Sequence, residues 1–278
     1  MVVKIVNEII SILKFFAMGL IFRRRIYKNR YSLKNKINSQ IHIFGNGPSL
    51  YESKKNYSKN DDLIMVNFSA LTDDFFDLKP KYLCIADQDF FYISKIKSKE
   101  LKLRMNAWYS RLENVDWNLT IVVPSEFKGL LNIKNDHVNI LVINTLPLPD
   151  KFIYFRYYMY KFNYAAPKMQ NVVIFATYFA IQVGYNKIFL HGVDSDSFKD
   201  VFINKKNEMV LIDKHFYGNK EINLSKQYSY LPGSFYKKLQ ADVNMFKSYY
   251  DLRLYSDKIN VEIINYSKNS MIDSFSRL

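Results

Sequence analysis

Cysteine and glycine are both scarce in this 278-residue chain. The single cysteine, Cys84, cannot form an intrachain disulfide, so the sequence fits a reducing compartment. No fixed-period repeat is present, and a hydrophobic share of 49% with 17% aromatic residues excludes a disordered chain. The length then predicts one large domain with appendages. With only eight glycines available, Gly45 and Gly47 stand out because they follow four β-prone residues, IHIF.

The formal charge of +14 raises the question of a nucleic-acid partner. The lysines are scattered singly among Asn, Ile, Tyr and Phe, and no recognition-helix, zinc-finger or RNP signature accompanies them. The charge therefore indicates a solvated basic surface, and we expect no nucleic-acid partner.

The dense basic run Arg23 to Arg30 follows an apolar N-terminal segment. Within residues 2–22, the spacing of the polar residues places them on one stripe of a helix. A signal peptide would carry its charges before the apolar run, and here they lie mostly after it. Residues 1–30 are therefore predicted to form an amphipathic helix on an anionic, cytoplasmic membrane face. A bilayer span, or a helix packed on its own domain, is the alternative.

Short apolar runs alternate with helical segments along residues 31–278. The predicted strands are 41–44, 63–66, 82–86, 119–123, 139–143, 187–191 and 261–264. The predicted helices are 95–112, 169–183 and 234–257. This alternation is typical of an α/β fold, a mostly parallel sheet with helices on both faces. Such sheets bind ligands at the carboxyl ends of their strands.

Polar residues follow four of the predicted strands. Gly45-Asn46-Gly47-Pro48-Ser49 has the composition of a phosphate-binding turn, although an ordinary strand-to-helix turn would read the same way. Asn67 follows the next strand and can both donate and accept hydrogen bonds. Asp87 with Asp89, and Asp194 with Asp196, have the spacing of metal-binding acidic pairs, which leaves Mg²⁺ open as an alternative to a metal-free site.

The four histidines differ in context. His42 lies inside a strand, His137 lies in a polar loop, and His191 ends an apolar strand where we expect it to be bonded to a neighbour. His215 lies in a long polar and aromatic segment, about 195–235, that is typical of a lid over an active site. A histidine in that place can take a proton from an acceptor hydroxyl.

The motifs IFGNGPSL, VNF, NVVIFATYFAIQVGYNKIFLHGVD and KHFYG resemble, in order and spacing, the bacterial sialyltransferases of glycosyltransferase family 42. The resemblance covers roughly residues 41–270. It implies a Rossmann-like domain with a lid, a metal-independent enzyme and a cytidine monophosphate sugar as donor. On this resemblance Gly45, Asn46, Gly47, Ser49 and Asn67 contact the nucleotide.

The same resemblance makes His215 the general base and gives the leaving-group role to tyrosines, here Tyr217 and Tyr228 of the lid. Three positions depart from the family pattern. Asp87 replaces an asparagine that helps hold the donor carboxylate, Asn171 falls within a replaced Thr-Ser-Gly, and Ser195-Asp196 replaces an aromatic pair. Asp87 and Asn171 are therefore predicted to face a different donor or acceptor sugar, while Asp194 orients a ribose or acceptor hydroxyl.

The sequence thus predicts transfer of a sugar from a nucleotide-activated donor to a cell-surface glycan or lipid-linked acceptor, with no cofactor, by an enzyme peripheral to the inner membrane face. Both a monomer and a homo-oligomer are compatible with the sequence. Two alternatives remain open. One is a metal-dependent phosphotransferase that uses the acidic pairs, with Mg²⁺ as cofactor. The other is a non-catalytic partner in glycan assembly.

Overall fold

The computed structural model describes residues 13, 40–148, 153–215, 218–224 and 235–278. The strands are β1 Gln40–Phe44, β2 Asp62–Val66, β3 Tyr82–Cys84, β4 Leu119–Pro124, β5 Val138–Ile143, β6 Lys187–His191, β7 Val201–Ile203, β8 Met209–His215, β9 Gly218–Asn223, β10 Glu262–Asn265 and β11 Ser276–Arg277. The helices are α1 Leu50–Ser53, α2 Asp73–Leu78, α3 Lys99–Glu113, α4 Ile153–Lys161, α5 Val172–Val183 and α6 Phe235–Lys258.

Eight strands form one sheet in the order β11-β10-β6-β1-β2-β3-β4-β5, and all of its paired strands are parallel. The chain moves outward in one direction from β1 to β5. It then crosses back to place β6 on the other side of β1. The order of strands therefore reverses between β1 and β6, which is where open parallel sheets form their ligand crevice.

Each face of the sheet carries its own hydrophobic core, because alternate residues of a strand point to opposite faces. Ile41 and Ile43 of β1 pack in the core that contains α4, α5 and the second half of α6. Phe44 packs on the opposite face with the buried side of α3, which includes Trp108. Helices thus cover both faces, as the sequence pattern predicts.

All seven predicted strands and all three predicted helices are present, with boundaries shifted by four residues or fewer. The pattern missed the short elements α1, α2 and β11, the helix α4, and the antiparallel sheet β7-β8-β9, which lies within the segment predicted as a lid. Residues 1–30, apart from Leu13, lie outside the described residues, as do Tyr217 and Tyr228. None of the helices in the described part is both long and apolar enough to cross a membrane.

Candidate functional site

A cleft of about 260 Å³ opens where the loops after β1, β2 and β6 meet the first residues of α5 and the middle of α6. Five residues predicted from the sequence to contact a nucleotide or a sugar line it, namely Asn46, Gly47, Asn67, Asn171 and Asp194. Strand ends far apart in the chain therefore come together at the reversal point of the sheet, as expected for a ligand site.

The glycines after β1 allow two backbones to touch. Gly45 N–H donates to the carbonyl of His191 at 2.7 Å, and Gly47 N–H donates to the carbonyl of Gly192 at 2.8 Å. A Cβ on Gly45 would overlap the Gly192 carbonyl oxygen, and one on Gly47 would overlap the Asp194 carboxylate. These two N–H groups are occupied within the protein, so the glycines serve loop-to-loop contact in this arrangement rather than an open phosphate cradle.

Gly192 completes this contact from the β6 side. Its φ of +63° lies in the left-handed region, and a Cβ there would come within 2.7 Å of the Leu50 Cβ. The following residues are held by the C-terminal segment: Val193 N–H donates to Ser267 Oγ at 2.7 Å, and Met271 N–H donates to the Asp194 carbonyl at 2.8 Å. The β6 loop is therefore fixed on both sides.

The Asp194 carboxylate accepts the backbone N–H of Ser49 at 3.3 Å, just before α1. Burial raises the pKa of Asp194, Ser49 opposes that shift by hydrogen bonding, and the neighbouring Asp196 adds to it. A protein carboxylate thus occupies the position at the start of α1 that a bound anion would take. Asp194 is suited to accept a ligand hydroxyl, such as that of a ribose.

Two cleft residues other than glycine have positive φ. Asn67 has φ +48° and Ser195 has φ +52°. The Asn67 carbonyl accepts from Trp108 Nε1 at 3.0 Å, which holds this backbone in place. Asn46 Oδ1 is buried with no hydrogen-bond partner among the described residues. Strained backbone and an unpaired buried acceptor at one place are typical of a binding site.

Asn171 begins α5 and connects it to α6. Its Oδ1 accepts from Ile174 N–H at 2.9 Å, which fixes the amide so that Nδ2 donates to the Tyr249 hydroxyl at 3.0 Å. Burial raises the pKa of Tyr249 to about 12, so this phenol stays neutral. Tyr249 was not predicted from the sequence, since it looks like any other aromatic residue of a long amphipathic helix.

The cleft is acidic although the chain is strongly basic. Asp194, Asp196 and Asp200 line it, whereas its described lining residues include no lysine or arginine. Two lysines reach its rim. Lys199 Nζ lies 3.7 Å from Asp196 Oδ2, and Lys238 Nζ lies 3.5 Å from Ser197 Oγ.

The two acidic pairs do not form one site. In the strand order β6-β1-β2-β3 the ends of β3 and β6 are three strand spacings apart, about 14 Å. Asp87 is exposed, does not line the cleft, and accepts the N–H of Asp89 at 3.1 Å. Across the described ranges, no group of three or more His, Cys, Asp or Glu side chains could hold a metal ion.

The predicted lid residues stay predictions. His215 is the last residue of β8, and its backbone pairs with Gly218 in the antiparallel sheet. The His215 side chain lies outside the described part, as do Tyr217 and Tyr228.

Comparison with known proteins gives a distant structural match. No protein-family model and no curated protein sequence matches the chain. Among solved structures, the MAf glycosyltransferase from Magnetospirillum magneticum AMB-1 aligns with 13% identity and a TM-score of 0.46. The alignment covers 88% of this chain and 34% of the other, so this chain spans about a third of that protein's length.

Proposed function

We propose that the chain is a glycosyltransferase that moves a sugar from a nucleotide-activated donor to a glycan or lipid-linked acceptor. The observation that carries the proposal is the polar cleft at the reversal point between β1 and β6, where parallel sheets of this kind bind nucleotides. The sequence motifs that resemble family 42 support a cytidine monophosphate sugar as the donor.

In the proposed arrangement the nucleoside lies against the β6 loop, with the Asp194 carboxylate accepting from a ribose hydroxyl. The donor phosphate lies toward Asn67 and the first residues of α5, where the Asn171 cap marks the positive end of the helix dipole. This placement differs from a phosphate on the Gly45 and Gly47 amides, because those amides already have partners.

The reaction proposed is a direct displacement at the anomeric carbon, without a metal ion. His215 takes the proton of the acceptor hydroxyl as that oxygen bonds to the sugar, and the bond to the nucleotide phosphate breaks. Tyr217 and Tyr228 stabilise the departing phosphate by hydrogen bonding.

The test is thermal stabilisation of the full chain by cytidine, uridine, guanosine and adenosine nucleotides, each with magnesium or with chelator. We expect cytidine monophosphate to raise the melting temperature equally in both conditions. Failure of every nucleotide to stabilise the chain would contradict the proposal.

A metal-dependent phosphotransferase is the second candidate, favoured by the acidic lining of the cleft. Asp194 and Asp196 would then bind Mg²⁺ together with nucleotide phosphates. A shift that appears only with magnesium and a nucleoside di- or triphosphate would select this candidate over the metal-free glycosyltransferase.

A further inference from the structure

Two buried histidines lie beneath the cleft on neighbouring strands. His42 of β1 is 2% exposed and His191 of β6 is 0% exposed. His42 Nδ1 lies 2.8 Å from His191 Nε2, so the two rings are within hydrogen-bonding distance. The outer nitrogens are also bonded: His191 Nδ1 lies 2.9 Å from the Ser53 carbonyl oxygen, and His42 Nε2 lies 3.2 Å from Asp61 Oδ2.

This chain of contacts holds the wall of the cleft. The His191 backbone carbonyl accepts from Gly45 N–H, and the His191 ring bonds the carbonyl of Ser53, the last residue of α1. Both ends of segment 45–53 are therefore attached to one residue. His42 extends the attachment to Asp61, immediately before β2.

The number of protons decides how many of these contacts are hydrogen bonds. The Ser53 carbonyl and the Asp61 carboxylate can only accept, so the three contacts need three N–H groups. Two neutral imidazoles supply two. With both rings neutral one contact lacks its hydrogen, whereas a third proton completes the chain and makes the pair cationic.

The surroundings oppose that third proton. The His42 ring lies 4.6 Å from the Phe189 ring and 5.1 Å from Tyr57, and the His191 ring stacks on Tyr266 at 5.1 Å. Burial lowers the pKa of His42 although Asp61 opposes the shift. Burial, and then the charge on His42, lower the pKa of His191 to about 3.

Among the described residues, the titratable groups that face the pair are Asp61, Tyr57 and Tyr266. Burial raises the pKa of Tyr57, so this phenol remains neutral in the range where histidine titrates. On β6, Lys187 lies over the Phe189 ring and pairs with Glu262 at 3.4 Å.

We propose that His42, His191 and Asp61 form an acid-sensitive latch, in which uptake of a proton by the buried pair weakens the attachment of segment 45–53 to β6 and loosens the wall of the cleft. The latch acts on this wall whatever ligand the cleft binds, so it does not depend on the proposed function.

The direction of the pH effect follows from the linkage between proton binding by the histidine pair and release of segment 45–53. A histidine whose pKa is lowered by burial binds a proton more tightly once its ring reaches water, so protonation favours the arrangement in which segment 45–53 has left His191. Stability contributed by the neutral pair is fully present above the ordinary histidine pKa of 6.5. It is lost as the pH falls from there toward the lowered values of the folded chain.

The substitution Asp61→Asn distinguishes the proposed latch from an ordinary ion pair between His42 and Asp61. The amide introduced by this substitution donates to His42 Nε2 and supplies the missing hydrogen, so two protons on the pair are enough. The same substitution removes the carboxylate that favours a charged His42. Asp74→Asn is the matched control, because Asp74 pairs with Lys54 next to the same segment at similar exposure, 30% against 25% for Asp61.

The experiment measures unfolding and amide exchange of the full chain between about pH 7.5 and pH 5.5. In the wild type we expect segment 45–53 to exchange roughly three- to tenfold faster at the acid end, after correction for intrinsic rates and relative to peptides of α3. Asp61→Asn should be at least as stable as the wild type at the higher pH and lose more stability on acidification. Asp74→Asn should keep the wild-type pH slope.

Two results would overturn the latch. A greater loss of stability from Asp61→Asn at pH 7.5 than at pH 5.5 would show that a charged His42 already pairs with Asp61 at neutral pH. Wild-type exchange of segment 45–53 that follows the α3 peptides at every pH would show that the pair does not hold the cleft wall.

Discussion

The Asp194 carboxylate lies directly against Gly47, so any side chain at position 47 would occupy the space of that carboxylate. Their contact joins the loop after β1 to the loop after β6, although the two residues are separated by about half of the chain. The geometry of the cleft therefore depends on a glycine and an acid acting together.

Gly47→Ala should abolish nucleotide binding at the cleft without unfolding the chain. The added methyl forces Asp194 away from Ser49, and overpacking of this kind costs about 1–3 kcal/mol. Gly129→Ala is the control, because a Cβ there meets nothing within 4 Å and costs about 1 kcal/mol through its φ of +72° alone. Thermal titration should show nucleotide stabilisation for the control and none for Gly47→Ala; stabilisation of both variants would contradict this prediction.

Asp194→Asn should weaken nucleotide binding without reducing the stability of the fold. Because burial raises the pKa of Asp194, its charge weakens the fold as the pH rises through that value, and the amide should match or exceed wild-type stability at pH 7. The difference should shrink as the pH falls toward the ordinary aspartate pKa of 3.8, below which the carboxyl is neutral in both the folded and the unfolded chain. Loss of the charged acceptor should weaken nucleotide binding about tenfold or more by calorimetry. Asp196→Asn, in the same cleft but paired with Lys199, should bind within about threefold of wild type, and equal losses from both variants would exclude a specific role for Asp194.

His215→Gln tests the proposed general base. Turnover should fall about 10²- to 10⁴-fold while donor binding, measured by calorimetry, stays within error of the wild type. His137→Gln, which replaces an exposed loop histidine, should leave both quantities unchanged. Retained turnover in His215→Gln would remove this residue from the mechanism.

Arg156→Met tests the buried contact between α4 and α6. Both guanidinium nitrogens Nη1 and Nη2 lie 3.3 Å from the Asp251 carboxylate, and the Arg156 side chain is 4% exposed. Removing one partner of a buried pair costs about 3–5 kcal/mol in chemical denaturation. Arg253→Met breaks a partly exposed pair with Asp257 on α6 and should cost about 0.5 kcal/mol or less. Similar losses from the two variants would mean that burial does not determine the energy of this pair.

Deletion of residues 1–30 should abolish sedimentation with vesicles that contain anionic lipid. Each basic residue of the run Arg23 to Arg30 adds about 1 kcal/mol of attraction near such a surface. The full chain with Arg23, Arg24 and Arg25 changed to Gln should bind more weakly and with less dependence on salt. Equal vesicle binding by the full and shortened chains would place the membrane contact elsewhere or exclude it.

Local pattern predicted most of the sheet. The strand at 187–191 and the helix ending near Gly184 follow from an apolar run and a glycine stop, which depend only on neighbouring residues. Strand β7 was missed because it has only three residues. Helix α4 was missed because its tyrosine-rich sequence shows too little periodicity to identify a helix. The expectation that His191 is bonded to a neighbour is confirmed by its contact with His42.

The sequence by itself determined the α/β class, the alternation of strands and helices along the chain, and the polar strand ends that line the cleft. These features depend on periodicity and on the common direction of parallel strands. Only the tertiary structure decided what those residues touch. The role of Gly47 depends on Asp194, the state of His42 depends on His191 and Asp61, and the place of Tyr249 depends on Asn171. Most of these partners lie far apart along the chain, so their contacts arise from the packing of strands and helices in the folded chain and leave no local signature.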